Sequence, residues 1–117
     1  MRIVTLLLVS AVLLLGCSSD SGEEIVKRYK SGERIFVKED LRGANLKDAY
    51  LDGADFSGTD LKGVNLNGAY LSGANFNNAD LSTADLKDAK LYSAHYNAST
   101  KFPPNFDPKK RGMIQSD

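Results

Sequence analysis

Residues 44–98 repeat one five-residue pattern almost without interruption, and this stretch decides the fold. In groups of five it reads ANLKD, AYLDG, ADFSG, TDLKG, VNLNG, AYLSG, ANFNN, ADLST, ADLKD, AKLYS and AHYNA. The third residue of each group is Leu, Phe or Tyr, and the first is usually Ala. The remaining residues are mostly Asp, Asn, Lys, Ser and Gly, so each group sets one large and one small apolar residue among polar ones.

A period of five fits neither standard amphipathic template. An amphipathic helix places apolar residues at i, i+3, i+4 and i+7, and a half-buried strand alternates with period two. Here the small and large apolar residues lie two apart, which is one strand-like step with both side chains on the same face. Two polar residues then follow, so the chain must turn once per group if every large apolar residue is to reach one interior.

A second period, of twenty residues, indicates how many turns close a coil. Tyr50 and Tyr70 are twenty residues apart. Aromatic third residues recur at the same interval, at Phe36, Phe56, Phe76 and Tyr96. Matching side chains stack when four groups make one coil, and successive coils then lie about 4.8 Å apart, as neighbouring strands do. The run predicts about three coils, near the minimum for a stable repeat array.

The A(D/N)LxG signature of these groups resembles the pentapeptide-repeat family, whose members form a right-handed, four-sided β-helix. The resemblance implies an all-β fold, a right-handed quadrilateral β-helix (β-solenoid) of about three coils with a short N-terminal capping helix. It also implies that Leu46, Leu51, Phe56 and their equivalents point inward with the alanines beside them. Thr59 and Val64 depart from alanine, but both are small enough to keep that interpretation.

Length and composition favour one small domain without a complex active site. The chain has 117 residues, a formal net charge of zero and 42% hydrophobic residues, which suits a single compact unit. Its one cysteine, Cys17, excludes an internal disulfide framework. With no Trp, one His and three Pro, little material remains for catalysis.

The N-terminus has the character of an export signal. Arg2 is followed by an almost wholly apolar run over residues 3–15, which is shorter than the ~20 residues that span a bilayer. The run ends in Leu14-Leu15-Gly16-Cys17 and resembles the bacterial lipobox, so the resemblance implies cleavage before Cys17 and a lipid such as palmitate on that cysteine. Residues 1–16 are therefore predicted to be a lipoprotein signal peptide, and residues 17–22 a flexible tether. An ordinary secreted chain with an incidental thiol remains the alternative.

A short capping helix is predicted over residues 23–30. Ser21 can cap its first turn while Glu24 reaches back, and Gly32 ends it. Its apolar stripe of Ile25, Val26 and Tyr29 is predicted to cover the first coil's interior. Residues 23–38 thus form an N-terminal cap and transition, and residues 39–98 form the repeat coil, regular by residue 44.

The helix also carries a basic face made of Lys27, Arg28 and Lys30. The simpler interpretation, which we favour, is a solvated face of a capping helix. The alternative is that these cations lie near anionic lipid.

Residues 99–117 are predicted to form a C-terminal cap and tail. Prolines cannot donate to a ladder, so Pro103, Pro104 and Pro108 predict that the coil stops here. Phe102 and Phe106 are predicted to plug its end, and residues 114–117 to fray. The segment resembles a TxFPxxFDPxxxGM ending found in the family.

Catalysis is the least supported function, and no catalytic, cofactor-binding or metal-binding residue is predicted. Catalytic sites need convergent titratable groups in a cleft, whereas these carboxylates are spread along flat sides. His95 is predicted to face solvent with no second His to join it. The Asp residues lack the Gly-Gly-x-Gly-x-Asp repeat of calcium-binding solenoids.

Two non-enzymatic functions remain. The first is a lipid-anchored structural or protein-interaction module of the cell envelope, facing the periplasm or exterior. Its partners would be the membrane, through Cys17, and an unidentified protein, through a patch of Tyr50 and Tyr70; the simpler view is that these tyrosines only shield the ladder. The alternative is a DNA-mimicking inhibitor of a topoisomerase such as gyrase. A short, exported rod of near-neutral charge does not favour it, so no nucleic-acid partner is expected.

Overall fold

The computed structural model describes residues 21–116. Helix α1 spans Ser21–Lys30, and strand β1, His95–Tyr96, pairs in parallel with strand β2, Ile114–Gln115. A short 3₁₀ helix, Lys109–Arg111, precedes β2. Within residues 21–116, no helix has both the length and the apolar character needed to cross a bilayer. The predicted signal peptide, Cys17, the first residues of the tether and Asp117 lie outside the described residues.

From residue 35 to residue 101 the backbone is held by single parallel bridges, which join residues twenty apart except for Asp80 and Lys101, which are twenty-one apart. Leu46 donates its N–H to the Asn65 carbonyl at 2.8 Å, and Asn65 donates to the Ala44 carbonyl at 2.9 Å. The bridges sort into four columns, Ile35–Asp55–Asn75–His95, Asp40–Asp60–Asp80–Lys101, Asn45–Asn65–Asp85 and Tyr50–Tyr70–Lys90. The chain therefore visits four sides in turn, as the twenty-residue period predicted.

The third and first residues of the groups fill the interior. Leu46, Leu66 and Leu86 form one buried column. In the aromatic column, the Phe36 and Phe56 rings lie 5.6 Å apart between centroids, as do those of Phe56 and Phe76. The predicted inward direction of the large residues is confirmed.

The polar residues of each group build its corner. Val64 donates its N–H to the Leu61 carbonyl at 3.1 Å, which closes a β-turn. The fifth residue, Gly63, has φ = 72°, a left-handed value that glycine adopts at no steric cost. The second residue braces the turn, because a side-chain oxygen there accepts the N–H of the fourth residue; Asn75 and Asn77 do this at 2.9 Å.

The coil begins earlier than predicted. Ile35 already bridges Asp55, so the ladder starts before residue 39, inside the segment assigned to a transition. Arg34 fills the usual alanine position without blocking the interior, because its guanidinium turns outward and lies 3.7 Å over the Tyr29 ring. Glu39, in the next such position, accepts hydrogen bonds from Arg28.

Helix α1 covers the first coil and also begins earlier than predicted. Its first turn contains Ser21 and Gly22, which the sequence placed in the tether. Gly22 is buried against the coil: a Cβ atom there would lie 2.0 Å from the Asn45 carbonyl oxygen. Ile25 is buried, and the helix ends at Lys30, two residues before Gly32 with its φ of 103°. The lid and its glycine stop are therefore as predicted.

The C-terminal segment departs from prediction most. The prolines interrupt the pattern, but Lys101 still bridges Asp80, and β2 adds a further level to the ladder. Ile114 and Ser116 donate to the Ala94 and Tyr96 carbonyls at 2.8 and 2.6 Å. Residues 114–116 are thus paired rather than frayed, because the segment containing the prolines loops out and returns to the open edge.

The predicted plug at this end is present. The rings of Phe102 and Phe106 stack at 5.0 Å, and Phe102 meets Tyr96 edge-on at 5.5 Å. Both phenylalanines are half-buried against the interior cluster. Arg111, which the sequence analysis overlooked, donates to the Leu86 and Ala89 carbonyls at 3.2 and 2.7 Å, so it satisfies acceptors that the last coil leaves open.

Candidate functional site

Tyr50 and Tyr70 stack on one side of the coil. Their ring centroids lie 4.4 Å apart with the planes 13° from parallel, and the Lys90 ammonium lies 5.0 Å from the Tyr70 ring centroid. The neighbouring Tyr70 hydroxyl raises the pKa of Tyr50 above its ordinary value. Tyr50 is 65% exposed. The structure thus brings the two predicted patch residues together on the surface.

A third aromatic ring, which the sequence analysis missed, shares this side. Tyr92 is 72% exposed, and its backbone carbonyl accepts the Gly73 N–H at 3.1 Å. It belongs to the fourth position of its group and not the second, so the twenty-residue alignment of Tyr50 and Tyr70 did not reveal it. We call the surface formed by Tyr50, Tyr70, Lys90 and Tyr92 the tyrosine face.

The tyrosine face lacks a turn contact that every Asp and Asn at the second position makes on the other three sides. There the second residue accepts the N–H two residues later, as Asn65 does from Asn67 at 3.0 Å. A tyrosine at that position has no acceptor within reach of its own turn. Instead, the Ser72 N–H is satisfied by Asp52 of the preceding coil at 2.9 Å. The aromatic residues are therefore not explained by the bracing of the corner.

The side next to the aromatic column carries paired charges. Arg42 binds Asp40 at 2.7 Å, and the Lys62 ammonium lies 3.8 Å from Asp60 and 4.0 Å from Asp80. A hydrogen bond from Arg42 lowers the pKa of Asp40. The stacked carboxylates, which alone would repel, are thus separated by cations, and this side presents no uninterrupted negative surface.

The predicted basic face of α1 divides in two. Arg28 turns toward the coil, where it binds Glu33 at 2.9 Å and Glu39 at 3.0 Å and lies 5.0 Å over the Phe36 ring. Its hydrogen bonds to Glu33 and Glu39 raise its pKa. Arg28 therefore holds the lid in place, and only Lys27 and Lys30 remain on the outer surface.

His95 is less exposed than predicted. It is half-buried in β1, and its Nδ1 lies 3.3 Å from the Ser116 hydroxyl, because β2 covers its edge. Among residues 21–116, no three His, Cys, Asp or Glu side chains converge as a metal site would require.

A four-sided coil built from five-residue groups is the fold of pentapeptide-repeat proteins, and known proteins of this class resemble the chain in sequence and structure. The sequence matches the description "Pentapeptide repeats (8 copies)" over residues 40–68 and 65–95. The chain is 32% identical to alr5209, a pentapeptide repeat protein from Nostoc Pcc 7120, over 80% of this chain and 94% of that one, with a TM-score of 0.50. This chain belongs to the pentapeptide-repeat family, and its recognition from sequence is confirmed.

Two further solved structures share the fold. Rfr23, a pentapeptide repeat protein from the cyanobacterium Cyanothece 51142, is 32% identical over 58% of this chain and 46% of that one, with a TM-score of 0.57. QnrB1, a plasmid-mediated fluoroquinolone resistance protein, is 18% identical over 67% of this chain and 37% of that one, also at 0.57. No curated protein matches the sequence significantly.

Proposed function

We propose that this protein is a non-enzymatic, lipid-anchored module of the cell envelope that presents its tyrosine face to a protein partner. In this proposal the rod is a right-handed β-helix, anchored through Cys17 and facing the periplasm or exterior. The observation that supports an interaction role is the exposed stack of Tyr50 on Tyr70. Tyrosine is enriched among the residues that dominate binding at protein interfaces.

The flatness of the face favours a protein partner. The tyrosines project from a regular ladder on which neighbouring coils are one strand spacing apart, so they form a rigid surface that loses little conformational freedom on binding. The Lys90 ammonium and the tyrosine hydroxyls supply polar contacts beside the rings, a mixture typical of interface cores with a polar rim.

Anchoring is supported by the sequence Leu14-Leu15-Gly16-Cys17. Incorporation of labelled palmitate should occur in the unaltered protein and be lost in Cys17→Ser. Equal labelling of both proteins, or labelling of neither in a host that lipidates a known lipoprotein, would remove the anchor from the proposal.

The interaction role is tested by replacing the stacked rings. A partner recovered from membranes with the unaltered protein should be depleted about tenfold or more with Tyr50→Ser/Tyr70→Ser, because anchor residues of an interface typically contribute 2 kcal/mol or more. The matched control is Asn45→Ser/Asn65→Ser, which alters equivalent positions on the neighbouring side and should retain the partner. An unchanged partner list with the tyrosine variant would refute the role of the face.

A DNA-mimicking inhibitor of a topoisomerase such as gyrase is the weaker alternative. The likeness to QnrB1, at 18% identity, concerns the fold alone. The paired charges around Asp40, Asp60 and Asp80 also suit a mimic of the DNA backbone poorly, since such a mimic needs unopposed negative charge.

A further inference from the structure

An open groove lies between helix α1 and the first coil. It has a volume of about 770 Å³ and runs from Gly22 at the start of the helix to Arg34 beyond its end. Val26 and Tyr29 of the helix and Tyr50 of the coil give it an apolar and aromatic lining. The Tyr29 hydroxyl donates to the Asp52 carbonyl at 2.7 Å, which ties the two walls together.

The rim of the groove carries positive charge. Four cationic residues line it, namely Lys27, Lys30, Arg34 and Lys47, against the two carboxylates of Glu23 and Asp48. None of these four cations forms an ion pair with a carboxylate in residues 21–116. With four cations against two carboxylates, the groove carries a local excess of two positive charges in a chain whose net charge is zero.

The groove also lies close to the anchoring residue. Four residues of chain lead from Cys17 to Ser21 and span at most about 14 Å, and the lining begins at Gly22. The polar headgroup layer of a bilayer is roughly 5–8 Å thick on each side, and charges interact over a distance of about 8 Å at physiological salt. A lipid on Cys17 would therefore hold the groove within reach of the headgroups.

We propose that this groove binds the phosphate headgroup of an anionic phospholipid in the membrane that carries the protein. Lys27, Lys30 and Lys47 would meet the phosphate, and the aromatic lining would contact the less polar glycerol region beneath it. This inference rests on the proposed anchor at Cys17. Its consequence is a second membrane contact that fixes the direction in which the coil, and with it the tyrosine face, leaves the bilayer.

Lysine acylation tests the proposal in the full, lipidated protein. The protein is reconstituted into liposomes of phosphatidylcholine alone or mixed with phosphatidylglycerol, and the acylation rate of each lysine is read by mass spectrometry. Lys27, Lys30 and Lys47 should react about fivefold more slowly with phosphatidylglycerol present, the factor that corresponds to one favourable lysine–membrane contact. Lys62, Lys87 and Lys90, on other parts of the coil, serve as internal controls and should not change.

A variant and a soluble probe complete the test. In Lys27→Gln/Lys30→Gln the protection of Lys47 should disappear, whereas Lys87→Gln/Lys90→Gln should leave it intact. Protection that is absent, or equal at all lysines, overturns the proposal. Protection by inorganic phosphate without liposomes would assign the groove to a free anion and overturn the lipid assignment.

The two proposals fail in distinguishable ways, because the mass of the Cys17 peptide is read in the same sample. A lipidated Cys17 with unprotected groove lysines refutes the groove alone. An unlipidated Cys17 refutes the anchor and this inference with it.

Discussion

At the scale of single residues, the fold depends on a strict division between inward and outward positions. The interior is narrow, so each large residue is matched by a small one beside it. Thr59 is a polar exception to this division. It is buried in a position that alanine usually occupies, and its hydroxyl donates to the Phe36 carbonyl of the preceding coil at 3.0 Å. A polar group is tolerated there because its hydrogen bond is made inside the fold.

Replacing Leu66 by alanine tests the inward assignment. Leu66 is 1% exposed in the middle of the coil, so Leu66→Ala should reduce the free energy of unfolding by ~2–5 kcal/mol through lost burial and a residual cavity. Chemical denaturation measures the change. Lys87→Ala, at an exposed position of the next coil, is the control and should stay within about 0.5 kcal/mol; equal midpoints for the two variants would contradict the assignment.

At the scale of elements, the docking of α1 is decided by one close approach. Gly22→Ala would place a methyl group against the Asn45 carbonyl oxygen, where only 2.0 Å is available. In an isolated helix, alanine is more favourable than glycine by about 1 kcal/mol. A steric clash of this kind with the backbone, however, typically costs ~1–3 kcal/mol of stability. The clash should win, and the variant should be less stable.

The matched control for this variant is Glu23→Ala, which changes the next residue on an exposed position of the same helix. Thermal unfolding of both variants gives the comparison. A Gly22→Ala protein that is more stable than the unaltered one would show that the helix does not dock on the coil in this way.

The ion pairs of the lid and of the first coil predict that the folded protein loses stability in acid. Hydrogen bonding to Arg28 lowers the pKa of Glu33 below its ordinary 4.5, and Arg42 does the same for Asp40. A depressed folded-state pKa contributes stability that is present above the unfolded pKa and is lost as pH falls through the folded one. Stability should thus be constant down to about pH 5 and decline below it.

Urea midpoints across this range measure the effect. Glutamine cannot ionise, so Glu33→Gln should remove part of the loss of stability at low pH. Glu23 forms no ion pair within residues 21–116, so Glu23→Gln should leave that loss unchanged. Stability that rises on acidification would contradict the pairing.

At the scale of the whole molecule, the residues that form the interior place few constraints on the residues of the surface. Two positions of each group fix the core, so each of the four sides can carry its own chemistry, as the tyrosine face and the charged column of Asp40, Asp60 and Asp80 on the opposite side do. Each coil contacts only its neighbours, and both ends therefore need covers. Helix α1 supplies one, and Phe102 and Phe106 supply the other.

Periodicity accounts for what could be predicted from the sequence. The coil, its buried residues, the lid and the Tyr50–Tyr70 stack all repeat or flank a repeat, so they were visible without coordinates. The return of residues 114–116 to the ladder was not, because it depends on a loop without a period. The groove could not be predicted either. Lys27 and Lys47 line the same groove only because the helix docks on the coil, and no local sequence pattern determines the docking angle.

The twenty-residue coil is the claim on which the rest depends, and nuclear Overhauser effects between backbone protons test it most directly. The account predicts cross-peaks between residues twenty apart on every side, including Asn45 with Asn65 and Tyr50 with Tyr70. Within residues 35–95, bridging pairs in any register other than twenty, or cross-peaks only between residues three or four apart as in a helix, would contradict it.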